Sequence, residues 1–363
     1  MDPSGHAKGY KRFMCIAFRL AQTKEPRSVH SPAHLIRIWI ASVVGLLQAT
    51  LSRLLLGPTL PSWAWRTEWA VAAARSGIAA AASAKDDPLV ATIGLHFKTP
   101  LSGSIVGTVH IKPWDGGPRT GDQYDRVGTT TPRATILYFH GGGYLFGNPG
   151  THREHIARLV ERTGARAITP AYRLAPQYRF PIAVDDAIAS YRQLLDSGII
   201  PAELIIAGDS AGGGLALALV HRARSESLPM PAGLILFSPY VDLTHTSHTN
   251  VTNAPTDYLP VREMTSSNDW YVDADDIDNP EASPLKADLS GFPPMLIHVG
   301  AAEMLLADSI RLAEHAERDG VQHTIHVADE MPHVWPALAP WEKASRLALE
   351  QCALWIPTVI PNV

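Results

Sequence analysis

The sequence predicts an α/β fold: a mostly parallel eight-stranded sheet with helices on both faces and a helical cap. Three observations carry this. From residue 134 onward, short apolar runs of strand length alternate with amphipathic stretches of helix length. Two glycine-rich turns, His140-Gly141-Gly142-Gly143 and Gly208-Asp209-Ser210-Ala211-Gly212, each follow such a run directly. The first 85 residues, by contrast, carry helical apolar patterns without a strand period.

Taken in order, residues 1 to about 33 read as a poorly ordered arm. Helices are expected at 35–56 and 63–83, divided by Gly57-Pro58 and Pro61. Residues 1–85 are thus assigned to an arm and cap segment, and 86–363 to the catalytic α/β domain. Strands at 92–98 and 105–112 flank Pro100-Leu101-Ser102-Gly103, which predicts a hairpin, and 114–132, rich in Gly, Asp and Thr, reads as a loop. The strand at 134–139 is followed by Thr151-His152-Arg153-Glu154, the pattern of a capping box, opening a helix that Gly164 closes. Strands at 165–170, 204–207, 234–237, 295–299 and 324–327 then interleave with helices at 182–197, 211–224, 305–319 and 340–354. Residues 244–283 break the alternation and include a short helix near 261–271. This excursion is assigned to the cap, which would cover the C-terminal strand ends where such sheets bind ligands.

Composition narrows the function classes. The 31 Lys and Arg against 35 Asp and Glu leave a formal charge of −4, and no basic run matches a phosphate backbone, so no nucleic-acid partner is expected. Cys15 and Cys352 stand far apart without metal-ligand spacing and read as free thiols. No metal and no organic cofactor are implied. Residues 1–27 mix charged and polar residues without the apolar core of a secretory leader, which predicts a cytoplasmic protein. Residues 35–56 are the one segment apolar enough to touch a bilayer, interrupted by Gln48, Thr50, Ser52 and Arg53, so peripheral membrane contact enters as a second expectation.

The chemistry sits at the turns. Gly208-Asp209-Ser210-Ala211-Gly212 fits Gly-x-Ser-x-Gly between a strand and a helix, where small flanking residues permit a turn tight enough to expose the Ser210 hydroxyl. In His140-Gly141-Gly142-Gly143 the missing Cβ atoms let the backbone approach a substrate, so that the N–H groups of Gly142 and Gly143, with that of Ala211, could stabilise an oxyanion. Neither turn continues into a nucleotide-binding pattern. A serine hydroxyl needs a base, and the base needs an orienting acid. His333 follows the last strand and Glu303 the one before it, giving the order Ser, acid, His. Asp308 is the second choice of acid; Glu303 is preferred because it lies closer to the strand end. His298 and His326 fall inside strands and read as core or edge residues, Asp185 and Asp186 as structural, and Asp209 as bonding locally.

These motifs, with Tyr172-Arg173-Leu174-Ala175-Pro176, Phe237-Ser238-Pro239 and Ser283-Pro284-Leu285, resemble the hormone-sensitive-lipase-like branch of the α/β-hydrolases over residues 135–355. One position departs from the family's pattern: Glu303-Met304-Leu305 stands where Asp-Pro-Leu is common. The resemblance implies that Ser210 and His333 belong to a catalytic triad and that the amides of Gly142, Gly143 and Ala211 form the oxyanion hole.

The expected activity is serine-dependent hydrolysis of short-to-medium acyl or small-molecule esters through an acyl-enzyme, with cap aromatics such as Trp63, Trp65, Tyr258 and Trp270 lining the pocket. Two alternatives stand beside it: hydrolysis of an amide or lactone, and ligand binding without catalysis, as in the similar gibberellin receptors, which lack the histidine.

Overall fold

The computed structural model describes residues 32–82, 98–116, 119–259 and 268–360. Eight strands form one sheet: β1 Val109–Trp114, β2 Gly121–Arg126, β3 Thr135–Phe139, β4 Arg166–Pro170, β5 Leu204–Asp209, β6 Gly233–Phe237, β7 Met295–Gly300 and β8 His323–Ala328. Their spatial order is β1-β2-β4-β3-β5-β6-β7-β8, with β1, β2 and β4 antiparallel in turn and all later neighbours parallel.

The central strands are continuous apolar runs because both faces are covered. Leu137, Phe139, Ile206 and Leu236 point to one face, where they meet helices Ile182–Asp196, Ala211–Ser225 and Leu306–Arg318. Ile136, Tyr138, Ile205 and Phe237 point to the other, against helices Arg153–Thr163 and Lys343–Val359. Cys352 is buried in this second layer as a free thiol; Cys15 lies outside the described residues.

The chain leaves β3 for β4 on one side and then crosses to β5 on the other, so β3 and β5 flank a topological switch point. Their register pairs Phe139 with Gly208. The glycine loop after β3 and the serine turn after β5 therefore emerge side by side.

Two expectations of local structure are corrected. Residues 105–108 form a turn, and the hairpin consists of β1 and β2, so β2 occupies part of the stretch expected to be loop; residues 92–97 lie outside the described residues. Strand β2 sits near the sheet edge and buries Tyr124 alone, while Asp125 accepts from Arg166 Nε at 2.6 Å. A half-solvated polar strand carries little apolar period to read. The capping box is also absent: Thr151 Oγ1 donates to the Asn148 carbonyl at 2.7 Å, and Glu154 accepts from the Ser102 amide at 2.9 Å. Gly164 does close that helix, in the left-handed conformation at φ 69°.

Helices α1, Pro32–Leu56, and α2, Trp65–Ala82, pack on each other through small residues. A Cβ at Gly45 would overlap Ser76, and Ser42 Oγ donates to the Ala73 carbonyl at 3.3 Å. Of the 244–283 excursion, residues 260–267 lie outside the description, so most of the helix expected near 261–271 falls there; 268–271 are helical.

Candidate active site

The turn after β5 is built by close backbone approach. A Cβ at Gly208 would strike the Gly212 carbonyl, and one at Gly212 would strike the Phe139 and His140 carbonyls. Ser210 sits between them at φ 51° and ψ −123°, a strained conformation for a residue with a side chain, immediately before the helix Ala211–Ser225. Its amide donates to the Phe237 carbonyl at 2.9 Å, and its own carbonyl accepts from Gly213, Gly214 and Tyr240. The residue is 8% exposed at the C-terminal end of β5.

The glycine loop passes directly over this turn. A Cβ on Gly141 would collide with Asp209 and press on Ser210 Cβ. Gly142 and Gly143 adopt φ 123° and 60°, which favour glycine. Among the described residues, no acceptor takes the N–H groups of Gly142, Gly143 or Ala211. His140 is a buried brace: its ring stacks on Tyr172 at 4.4 Å, and its carbonyl accepts from the Tyr172 hydroxyl at 2.7 Å. Asp186 in turn accepts from the backbone and guanidinium of Arg173, fixing the Tyr172-Arg173 segment.

Asp209 does not bond locally. Its carboxylate accepts from Tyr138 on β3 at 2.8 Å and pairs with His152 Nε2 at 3.1 Å. Burial would raise its pKa, but the charge and hydrogen bond of His152 outweigh that and bring it down to about 2. His152, for its part, is pushed down by burial but held above the ordinary histidine value by Asp209.

After β7 and β8 the chain brings Glu303 and His333 together, with His333 Nδ1 3.2 Å from Glu303 Oε1. Glu303 Oε2 accepts from the Gly300 amide and the Ser238 hydroxyl, both at 2.7 Å. With an acceptor at Nδ1, the proton belongs on that nitrogen, which leaves Nε2 as the basic one. Burial pushes the His333 pKa down, and the hydrogen bond and charge of Glu303, with Asp257 and Asp209 behind it, carry it above the ordinary value. Asp308 is engaged elsewhere, accepting from Ser247 and from Arg311. Burial raises its pKa to about 6.

Two residues that sequence reasoning left out complete the arrangement. Ser238 donates to Glu303 and accepts the Val334 amide at 3.0 Å, so one hydroxyl ties the acid to the histidine loop. Its signal was the Phe237-Ser238-Pro239 motif right after β6. Asp257, from the 244–283 excursion, is fully buried and accepts from the amides of Met304 at 2.8 Å and His333 at 3.2 Å. Burial holds its carboxyl at about 6. Nothing in the local sequence marks it.

The four aromatics expected around a pocket separate. Tyr258 lies beside His333 with ring centroids 5.7 Å apart. Trp63 is buried among Val71, Met331 and Trp335 and donates to the Glu330 carbonyl; Trp65 is on the outer surface under Arg53; Trp270 packs against the main core. Among the described residues, no group of three or more His, Cys, Asp or Glu side chains converges as a metal site.

The family model described as the alpha/beta hydrolase fold matches residues 136–337, which holds the switch point, the serine turn after β5 (the nucleophile elbow) and the acid and histidine loops. The chain belongs to the α/β-hydrolases. Within them it falls in the hormone-sensitive-lipase-like branch: a solved hormone-sensitive-lipase homologue from a metagenome library is 35% identical, with a TM-score of 0.69, over 88% of this chain and 97% of that one. This hydrolase is also 36% identical to an acetyl-hydrolase of Streptomyces hygroscopicus over 62% of its own length and 75% of the relative's. An esterase of Acinetobacter venetianus is 37% identical over 68% of this chain and 81% of that one.

Proposed function

We propose that this carboxylic-ester hydrolase cleaves short-to-medium acyl esters of small molecules through an acyl-enzyme on Ser210. In this reading Ser210 Oγ attacks the ester carbonyl as His333 Nε2 accepts its proton, and Glu303 holds the imidazole and steadies the imidazolium. The amides of Gly142, Gly143 and Ala211 carry the negative charge of the tetrahedral intermediate. His333 returns the proton to the departing alkoxide, then activates the water that releases the acid. The arm and helices of 1–85, together with the 244–283 excursion, act as the cap.

The observation that carries the proposal is the strained Ser210 at a helix N-terminus, flanked by a glycine loop whose N–H groups lack acceptors among the described residues. The Glu303–His333 pair supports it, because an imidazole oriented at Nδ1 is what a serine hydroxyl needs as a base. Similarity to the acetyl-hydrolase of Streptomyces hygroscopicus supports the short acyl group.

The test is pre-steady-state release of nitrophenol from excess p-nitrophenyl acetate. The wild type is expected to give a burst of one equivalent if deacylation is the slower step, and Ser210→Ala to lose turnover by roughly 10⁴-fold or more. Turnover by Ser210→Ala at the wild-type rate would remove Ser210 as the nucleophile. A panel of acyl lengths tests the substrate class, and equal turnover of acetyl and long-chain esters would overturn the short-acyl reading.

A further inference from the structure

We propose that α1 docks in the plane of an anionic lipid surface. The helix has 25 residues and no acidic one, and from Ile36 to Leu56 its exposed side chains are mostly apolar, with Arg37, Gln48 and Ser52 among them. Ile36, Trp39, Leu47, Leu51, Leu54 and Leu55 are each at least 55% exposed. Ile36, Ile40, Leu47, Leu51 and Leu54 recur at helical spacing, so they form one stripe. An exposed apolar face of this extent marks an interaction surface.

Three features select lipid as the occupant. Tryptophans frame the stripe: Trp39 lies on it, and Trp65 and Trp69 are partly exposed on α2 beside it, as indole rings favour the membrane interface. Of the two arginines of α1, Arg53 is turned inward, only 15% exposed and bonded to Glu68 on α2, while Arg37 is exposed near the N-terminal end of the stripe, on the side of the basic segment. Finally, the 31 residues that lead into α1 contain six basic side chains, Lys8, Lys11, Arg12, Arg19, Lys24 and Arg27, against Asp2 and Glu25. A basic excess next to an apolar helix complements anionic headgroups.

The packing of α1 decides between lying on the bilayer and crossing it. The helix is clamped to α2 at Gly45 and Ser42, and α2 is fastened to the body. Trp63 just before α2 bonds to the Glu330 carbonyl, Thr67 bonds to Glu342, and Arg75 Nε donates to the Asp257 carbonyl at 2.8 Å. A spanning α1 would have to leave α2 and strand buried Glu68 without Arg53. Docked in the plane, α1 keeps these contacts and presents the stripe to acyl chains. Glu330 and Asp257 belong to the segments that hold His333, so α2 links the docked helix to the loops of the site.

The inference does not depend on the esterase reading, and its test keeps the two apart. The full chain is floated on a density gradient with vesicles of phosphatidylcholine and phosphatidylglycerol, and separately with phosphatidylcholine alone. The wild type is expected to rise with the mixed vesicles, to bind the neutral ones less, and to be released by alkaline carbonate. The variant Trp39→Ser/Leu47→Ser/Leu51→Ser changes exposed positions only; it is expected to partition at least ~10-fold less. It should also keep wild-type turnover of soluble p-nitrophenyl acetate, which reports on its fold. Wild-type protein that stays at the bottom of both gradients would overturn the proposal, as would resistance to carbonate, which means a span. A dimer in sedimentation that the triple variant dissolves, without vesicle binding, would overturn it in favour of a second copy of the chain.

Discussion

The carboxylate of Asp257 accepts the backbone N–H of His333 at 3.2 Å, and through its other oxygen that of Met304 at 2.8 Å. One buried side chain of the excursion thus fixes both the loop that carries the imidazole and the loop that carries its acid partner. Its charge also adds to those that raise the His333 pKa.

Asp257→Asn should therefore act as the loss of a positioning residue. One of the two oxygens becomes a donor that faces a backbone donor, so a buried bond is lost and a clash of like partners takes its place. Turnover of p-nitrophenyl acetate is expected to fall roughly 10- to 100-fold with KM little changed. Removing the charge also lowers the His333 pKa, so the acidic limb of the kcat/KM profile should move to lower pH. A variant that loses stability with no movement of that limb would make Asp257 a purely structural residue.

The two candidate acids are separated by their contacts. Glu303→Gln keeps the shape of the site but removes the charge facing His333 Nδ1, and kcat is expected to drop about 10²- to 10⁴-fold. Asp308→Asn disturbs only the bonds to Ser247 and Arg311, so it should leave kcat near wild type while lowering the melting temperature. Steady-state kinetics on both variants checks the pair, and the reverse ranking would transfer the role to Asp308.

What the sequence made legible was the chemistry that depends on local backbone geometry. Gly208, Ser210 and Gly212 announce themselves because a tight strand-to-helix turn requires small residues at fixed offsets, and the parallel strands because burial on both faces leaves unbroken apolar runs. Asp257 was not legible, since its role comes from two amides more than forty residues away in the chain. Strand β2 was missed for a related reason: its polar side chains are satisfied by one another and by the neighbouring strand, Gln123 donating to Asp125 and Asp125 accepting from Arg166 on β4, so they carry no apolar period. Asp209 was expected to bond within its own turn, yet its partners Tyr138 and His152 arrive from β3 and from the helix start after it.

Two glycines test how the glycine loop and the elbow fit together. At Gly212 an added methyl would enter the Phe139 and His140 carbonyls, so Gly212→Ala should cost about 1–3 kcal/mol and displace the loop. At Gly143 there is open space but φ is 60°, so Gly143→Ala should cost about 1–2 kcal/mol of backbone strain without a clash. Urea unfolding measures both. Because the Gly143 amide is proposed to meet the oxyanion, Gly143→Ala should lose kcat beyond what its stability loss explains, and equal kcat in this variant and the wild type would remove that amide from the oxyanion hole.

The His152–Asp209 pair makes stability depend on pH in a direction that can be worked out. Asp209 titrates at about 2 in the folded protein, below its ordinary value, so its contribution is full above that ordinary value and is lost as pH falls toward 2. His152 titrates above its ordinary value, so its contribution is full at acidic pH and is lost as pH rises through the raised value. The pair is therefore most stabilising in the window between, from about pH 4 to about pH 6.5. The Asp209 shift corresponds to about 2 kcal/mol there. His152→Gln retains a donor toward Asp209 but cannot carry the charge, so it should be less stable than the wild type inside the window and converge with it toward pH 2. Urea unfolding of both proteins at about pH 3, 5 and 9 resolves this. A constant difference across that range would mean that His152 supports the elbow by packing against His140, with the charge contributing nothing.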